Sequence, residues 1–187
     1  MDLIRELLLE ASLDAELDVS FSDVAQDFGE LDKLEPTLST RNVNFHLNTL
    51  TKRYFDKVQD TKSPFALCGA KLHAIWWEQF NGEPGDIGGT VKTLGYKDAA
   101  LFISEVLETA LQVQGNGWVV VTKDGIAACP NHSWDNFDDI ILLVDMWEHA
   151  YQADYGSDKK AYVERLLEDA ISWEAISSRI EASNETS

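Results

Sequence analysis

The stretch DMWEHAYQADY, residues 145–155, sets a carboxylate and an imidazole four positions apart, Asp145 and His149, with Trp147 and Glu148 between them. Core packing alone gives no reason for that mixture. The run before it, IILLV at 140–144, reads as a buried strand, so Asp145 lies where a strand leaves the core. Burying either group there without a partner is costly, whereas both can ligate a metal. The chain holds four histidines, His46, His73, His132 and His149. With Asp145 they can supply three imidazoles and one carboxylate, a set that suits manganese, iron or zinc. Ligands drawn from distant segments leave no short-range signature, so spacing does not choose among these metals.

Elements must bring these groups together. After Pro36, LSTRNVNFHLNTLTKRYFDKVQD reads as a helix. Val43, Leu47, Leu50, Tyr54 and Val58 form one apolar stripe, with Ser39 or Thr40 available as N-cap, and His46 lies beside the stripe. KSP at 62–64 ends that helix, and FALCGAKLHAIWWEQF reads as the next. There Phe65, Leu72, Trp76 and Phe80 recur at helical spacing, with His73 on the same side. Two helices joined by a short polar turn predict an antiparallel hairpin in which His46 and His73 can face each other. NGEPGDIGG at 81–89 is the clearest break. Beyond it the pattern predicts a helix over 97–112 and strands over 118–122, 126–129 and 139–144. KDG at 123–125 turns the first strand into the second, and one helix over 159–180 closes the chain. The class is α+β, helices first and then a small antiparallel sheet with helices. The expected units are an acidic N-terminal extension over 1–30, a helical hairpin domain over 31–86 and an α/β domain over 87–187.

Composition excludes some functions. An apolar fraction of 44% and six tryptophans among 187 residues argue for a well-packed core. The net charge of −18 makes nucleic acid an unsuitable partner, because phosphate contacts need basic patches. Residues 1–35 hold eleven Asp or Glu against Arg5 and Lys33. Leu3, Leu7, Leu8, Leu13 and Leu17 in that acidic stretch recur at roughly helical spacing, which suits a helix docked on the body, a solvated tail or a partner-binding helix. No apolar run approaches the roughly 20 residues of a membrane span. Two cysteines, Cys68 and Cys129, fit a reducing compartment better than a disulfide framework. The N-terminus is too charged for a signal peptide. A soluble cytoplasmic protein is expected.

DMWEHAYQADY resembles the DxWEHAYYxxY signature of the iron/manganese superoxide dismutases, and the similarity runs from LEP at 34–36 to SWEA near Trp173. LEPTLST followed by FH is similar to the family's first-helix entry, LHAIWW to its NHxxFW and QGNGW to its GSGW; GEP persists in the break. The resemblance implies His46, His73, Asp145 and His149 as ligands of one manganese or iron ion per subunit, with superoxide as substrate. It implies the fold derived above, an N-terminal antiparallel helical hairpin followed by an α/β domain with a three-stranded antiparallel sheet. It also implies a homodimer in which Glu148 bonds the ligand histidine of the other subunit, and it places Trp77, Trp118, Trp147 and Tyr151 around the metal or at the interface. Tyr54 falls on the family's gateway tyrosine.

The chain departs from the family in its details. The outer side chain that tunes the metal is a Gln in most members, supplied from one of two places. Here one place is Gly69 and the other holds His132, in PNHSW. A usual His one turn after the first ligand is Leu50, and its cross-dimer partner Tyr is Gln152, so both halves of one bond are missing together. The family's channel Arg is replaced at about Asp158, with Lys159 and Lys160 just beyond; Lys52 and Arg53 beside Tyr54 offer another positive mouth. These changes and the acidic extension motivate the rival reading, a weak or inactive dismutase-like interaction protein.

Overall fold

The structure, a computed structural model, describes residues 17–83, 85–134 and 137–185. Leu3, Leu7, Leu8 and Leu13 therefore lie outside the described residues. The later part of the acidic stretch joins the body as helix α1, Phe21–Phe28, opened by a reciprocal cap between Ser20 and Asp23. Its Val24 and Phe28 are buried, and the Phe28 ring meets Trp77 edge-on with centroids 4.8 Å apart.

Helix α2, Thr40–Phe45, runs through a π-helical turn, His46–Thr51, into α3, Lys52–Thr61. Ser39 is the N-cap and accepts from the Asn42 amide. One extra residue in a turn rotates everything downstream by about 100°. The expected stripe therefore fails past Leu47: Thr51 and Phe55 are buried, whereas Leu50, Tyr54 and Val58 are only half-buried. The Thr51 hydroxyl donates to the His46 carbonyl at 3.0 Å and accepts from Trp77 Nε1 at 2.9 Å, so the widened turn is pinned to the next helix. That helix, α4, is Pro64–Glu78, with Ser63 as cap and proline in its first turn.

A short helix, α5, Ile87–Thr93, starts inside the Gly-rich stretch read as a plain break. Asp98 caps α6, Ala99–Gln112, which buries Phe102, Val106 and Ala110 against the sheet. Strands β1 (Gly117–Thr122), β2 (Gly125–Pro130) and β3 (Leu142–Asp145) form an antiparallel sheet in the order β2-β1-β3. Trp118 to Val121 are all buried, as the central strand of a sheet covered on both faces must be. The third strand starts later than expected because Asp139 to Ile141 are spent in a turn and its exit. Gln79, just past α4, lays its amide along the outer edge of β3, donating to the Leu143 carbonyl at 3.0 Å and accepting from the Leu143 amide at 3.1 Å.

After β3 come α7, Glu148–Tyr155, and α8, Lys159–Arg165, which ends in a π-helical turn, Leu166–Ala170. The last helix, α9, is Trp173–Glu185. The single closing helix expected from periodicity is thus two. Ile171 turns extended, the Ser172 amide donates to the Gln79 carbonyl, and the Ser172 hydroxyl accepts from the Ala175 amide to start a new helix. The class is α+β, an N-terminal helical hairpin with a three-stranded antiparallel sheet. No helix among the described residues is long and apolar enough to cross a membrane.

Candidate metal centre

Four side chains meet where the hairpin faces the exit of β3. His46 comes from the π-helical turn, His73 from the middle of α4, Asp145 from the last residue of β3 and His149 from the first turn of α7. One ligand atom of each lies within 4.8 Å of all the others. The Asp145 Oδ2 is 3.3 Å from His46 Nε2, 3.2 Å from His149 Nε2 and 3.8 Å from His73 Nε2. Asp145 and His73 are fully buried, and His46 nearly so.

The backbone fixes each group. Asp145 pairs with Trp118 across β1, its Oδ1 accepts from the Trp147 amide at 2.8 Å, and its carbonyl accepts from the Tyr162 hydroxyl at 3.0 Å. His73 Nδ1 donates to the Gly69 carbonyl one turn earlier at 2.6 Å, which turns the bare Nε2 inward. His46 Nε2 is near Asp145 but not aligned with it, so His46 Nε2 and His73 Nε2 are both buried with no hydrogen-bond partner. Two such orphans in one cluster are expensive, about 1–3 kcal/mol each, and a cation resolves both. Burial pushes His46 down to about 4 and His73 well below the ordinary range. Burial alone would raise the Asp145 carboxyl, but the His149 and His46 imidazoles overcome it and hold Asp145 low. Neutral imidazoles beside an ionised carboxylate are the protonation states that metal ligands need.

The surrounding wall is aromatic. Trp77 meets the His46 ring edge-on at 4.9 Å, Trp118 meets His73 at 5.0 Å, and Trp147 stacks on His132 at 4.8 Å and on His149 at 5.7 Å. Tyr151 is buried against Tyr162, and Glu148 is exposed at the start of α7. Tyr54 stacks on His73 at 5.0 Å, and its hydroxyl is 2.9 Å from His132 Nε2. Burial raises the Tyr54 phenol to about 12 and lowers His132 to about 4. Of the two cations proposed for the mouth, Lys52 is held by Asp56 on the next turn at 2.8 Å.

Two contributors had little sequence signal. Phe65, assigned to an apolar stripe, is half-exposed and covers His132 with centroids 4.7 Å apart, because the first turn of α4 faces the mouth. Asn42 is buried and donates to the Ala150 carbonyl and to Asp154, locking α2 to α7; Asn44 on the other side of Val43 is exposed, so nothing in the sequence singled Asn42 out.

Residues 91–179 match the model of the C-terminal domain of iron/manganese superoxide dismutases. Over that segment, just under half of the chain, the sequence is similar to the iron/manganese superoxide dismutases. Manganese superoxide dismutase 2 of Halobacterium salinarum is 28% identical over 180 residues, covering 79% of this chain and 88% of that protein. Chloroplastic iron superoxide dismutase 2 of Oryza sativa is 26% identical over 188 residues, covering 81% and 74%. Chloroplastic iron superoxide dismutase 1 of Arabidopsis thaliana is 25% identical over 197 residues, covering 84% and 91%. Relatives in this superoxide dismutase family are thus named for manganese and for iron, and the His/Asp cluster fits one such ion.

Proposed function

We propose that this protein is an active superoxide dismutase that converts two superoxide anions and two protons into dioxygen and hydrogen peroxide. The observation that carries the reading is the pair of orphaned Nε2 atoms of His46 and His73 converging with His149 on Asp145. His46, His73, Asp145 and His149 would hold the manganese or iron ion, which when bound supplies one-electron redox chemistry by alternating between trivalent and divalent states. Asp145 lends the site its negative charge, and the buried neutral imidazoles add none. Trp77, Trp118 and Trp147 keep bulk water from the centre. Tyr54 and His132 form the polar exit through that wall, and the raised Tyr54 phenol keeps its proton at neutral pH.

The finer parts of the reading rest on the family pattern. The chain divides near residue 86, acts as a homodimer joined through Glu148 beside His149, and works in the cytoplasm, where two cysteines stay reduced. The exposure of Glu148 favours a partner there. Stopped-flow decay of superoxide, on samples loaded separately with manganese and iron, tests the activity. Rapid decay with either metal supports the reading. No decay above the metal-free control, with one metal per chain, overturns it in favour of an interaction protein.

A further inference from the structure

His46 and His149 reach the cluster from different segments, the widened turn after α2 and the start of α7, and their ring centroids stand 4.6 Å apart. Helix α7 has only eight residues, too few to hold itself in place in water. What ties it to α2 lies one helical turn before His46. The Asn42 side chain, 3% exposed, donates from Nδ2 to the Ala150 carbonyl at 3.0 Å and to Asp154 Oδ2 at 3.0 Å. A carbonyl and a carboxylate only accept, and the amide nitrogen carries two N–H groups, so both donors are used and the amide orientation is fixed. Ala150 directly follows His149, so the bond falls on the backbone beside that ligand.

We infer that Asn42 is a positioning residue for the metal centre, holding α7 against α2 and so setting the separation of the His46 and His149 ligand atoms ahead of metal binding. Without that tie α7 drifts from α2, and a drifted chain cannot offer both imidazoles to one ion. Apparent metal affinity then falls by the fraction of molecules left in the competent arrangement. Asp145 does not supply the restraint, because it lies near His46 Nε2 without a hydrogen bond to it. Two other bonds join the same segments: the Asp154 Oδ2 accepts from the Ser39 amide at 3.0 Å, and the Tyr155 hydroxyl donates to the Thr37 carbonyl at 2.6 Å. Both lie farther along the chain from the ligands. The Asn42–Ala150 bond is the buried one of the set, where water does not compete for it.

The consequence for turnover rests on the dismutase reading, but metal affinity is measured without turnover. The experiment is zinc binding by the full chain at pH 7, in competition with a chromophoric chelator. Asn42→Leu keeps the shape and loses both bonds; it should bind zinc about tenfold more weakly than the wild type, the lower end of what a lost outer support costs. That variant risks misfolding, so Asp154→Ala serves as the second test. Asp154 is exposed, its removal spares the Ala150 bond, and the loss should be about threefold. Asp154→Asn keeps an acceptor oxygen and should stay within about twofold of the wild type. A merely structural role would lower the urea midpoint of metal-free protein and leave the affinity of the folded protein unchanged. Unchanged affinity in folded Asn42→Leu or in Asp154→Ala, an Asp154→Asn loss equal to that of Asp154→Ala, or a wild type that binds no zinc overturns the inference. The expected losses with no superoxide decay would reject the activity and leave the role of Asn42 standing; rapid decay with unchanged affinities would do the opposite.

Discussion

Gly69→Ala sets two known effects against each other at one atom. Gly69 lies inside α4, where alanine is favoured over glycine by roughly 1 kcal/mol. A Cβ at that position would lie 2.7 Å from Tyr54 Cδ1, 2.8 Å from Cε1 and 3.1 Å from His132 Cδ2. Carbon atoms settle at about 3.5–4.0 Å, so something must move by most of an ångström. Tyr54 cannot yield easily, since its ring stacks on His73 and its hydroxyl is bonded to His132. Overpacking of this kind costs about 1–3 kcal/mol. The net expectation is a loss of about 0–2 kcal/mol, lowering Tm by roughly 2–4 °C for each kcal/mol in a chain of this size. Urea unfolding of metal-free protein measures it, in the wild type and in a Tyr54→Ala background. With the phenol ring gone the clash is largely relieved, and the same substitution should become stabilising by roughly 1 kcal/mol. A Gly69→Ala change that stabilises equally in both backgrounds would refute the reasoning, because the space beside Tyr54 would then be open.

Acid should weaken the metal-free protein well above the usual carboxylate range. His46 and His132 are lowered by burial to about 4 in the fold against about 6.5 unfolded, so the unfolded chain binds more protons between those values and stability drains away as pH falls through them. The loss is on the order of 2 kcal/mol per ring by pH 5, the depressed Asp145 adds to it at lower pH, and equal urea midpoints at pH 7 and pH 5 would contradict it. Asp145→Asn keeps an oxygen for the Trp147 amide but removes the charge; metal per chain, measured by elemental analysis after dialysis, should fall from one to near zero with the fold retained. Because Lys52 is tied to Asp56 and the chain carries −18, the rate of superoxide decay should rise between 10 and 150 mM salt on the scale of ordinary screening, and a falling rate would show that Arg53 governs the mouth.

The sequence by itself determined the class, most element positions and the identity of the clustered residues. Period-two and helical patterns report which faces are buried, and those faces are set locally by β1, α4 and α6. The DMWEHAYQADY motif named Asp145 and His149 because one strand end and one helix start carry both. Only the tertiary structure decided what those residues face. The π-helical turn at His46 moved burial from Leu50 and Tyr54 to Thr51 and Phe55, and no local pattern announces a bond such as Thr51 to Trp77, 26 residues away. The break at Ile171 depends on the Gln79 carbonyl waiting for the Ser172 amide. Which atoms His132 meets was not legible until the fold set Trp118 on one of its nitrogens and Tyr54, 78 residues away, on the other. Periodicity records how much of a side chain leaves water; which atom it then meets is settled by chain segments that the pattern treats as independent.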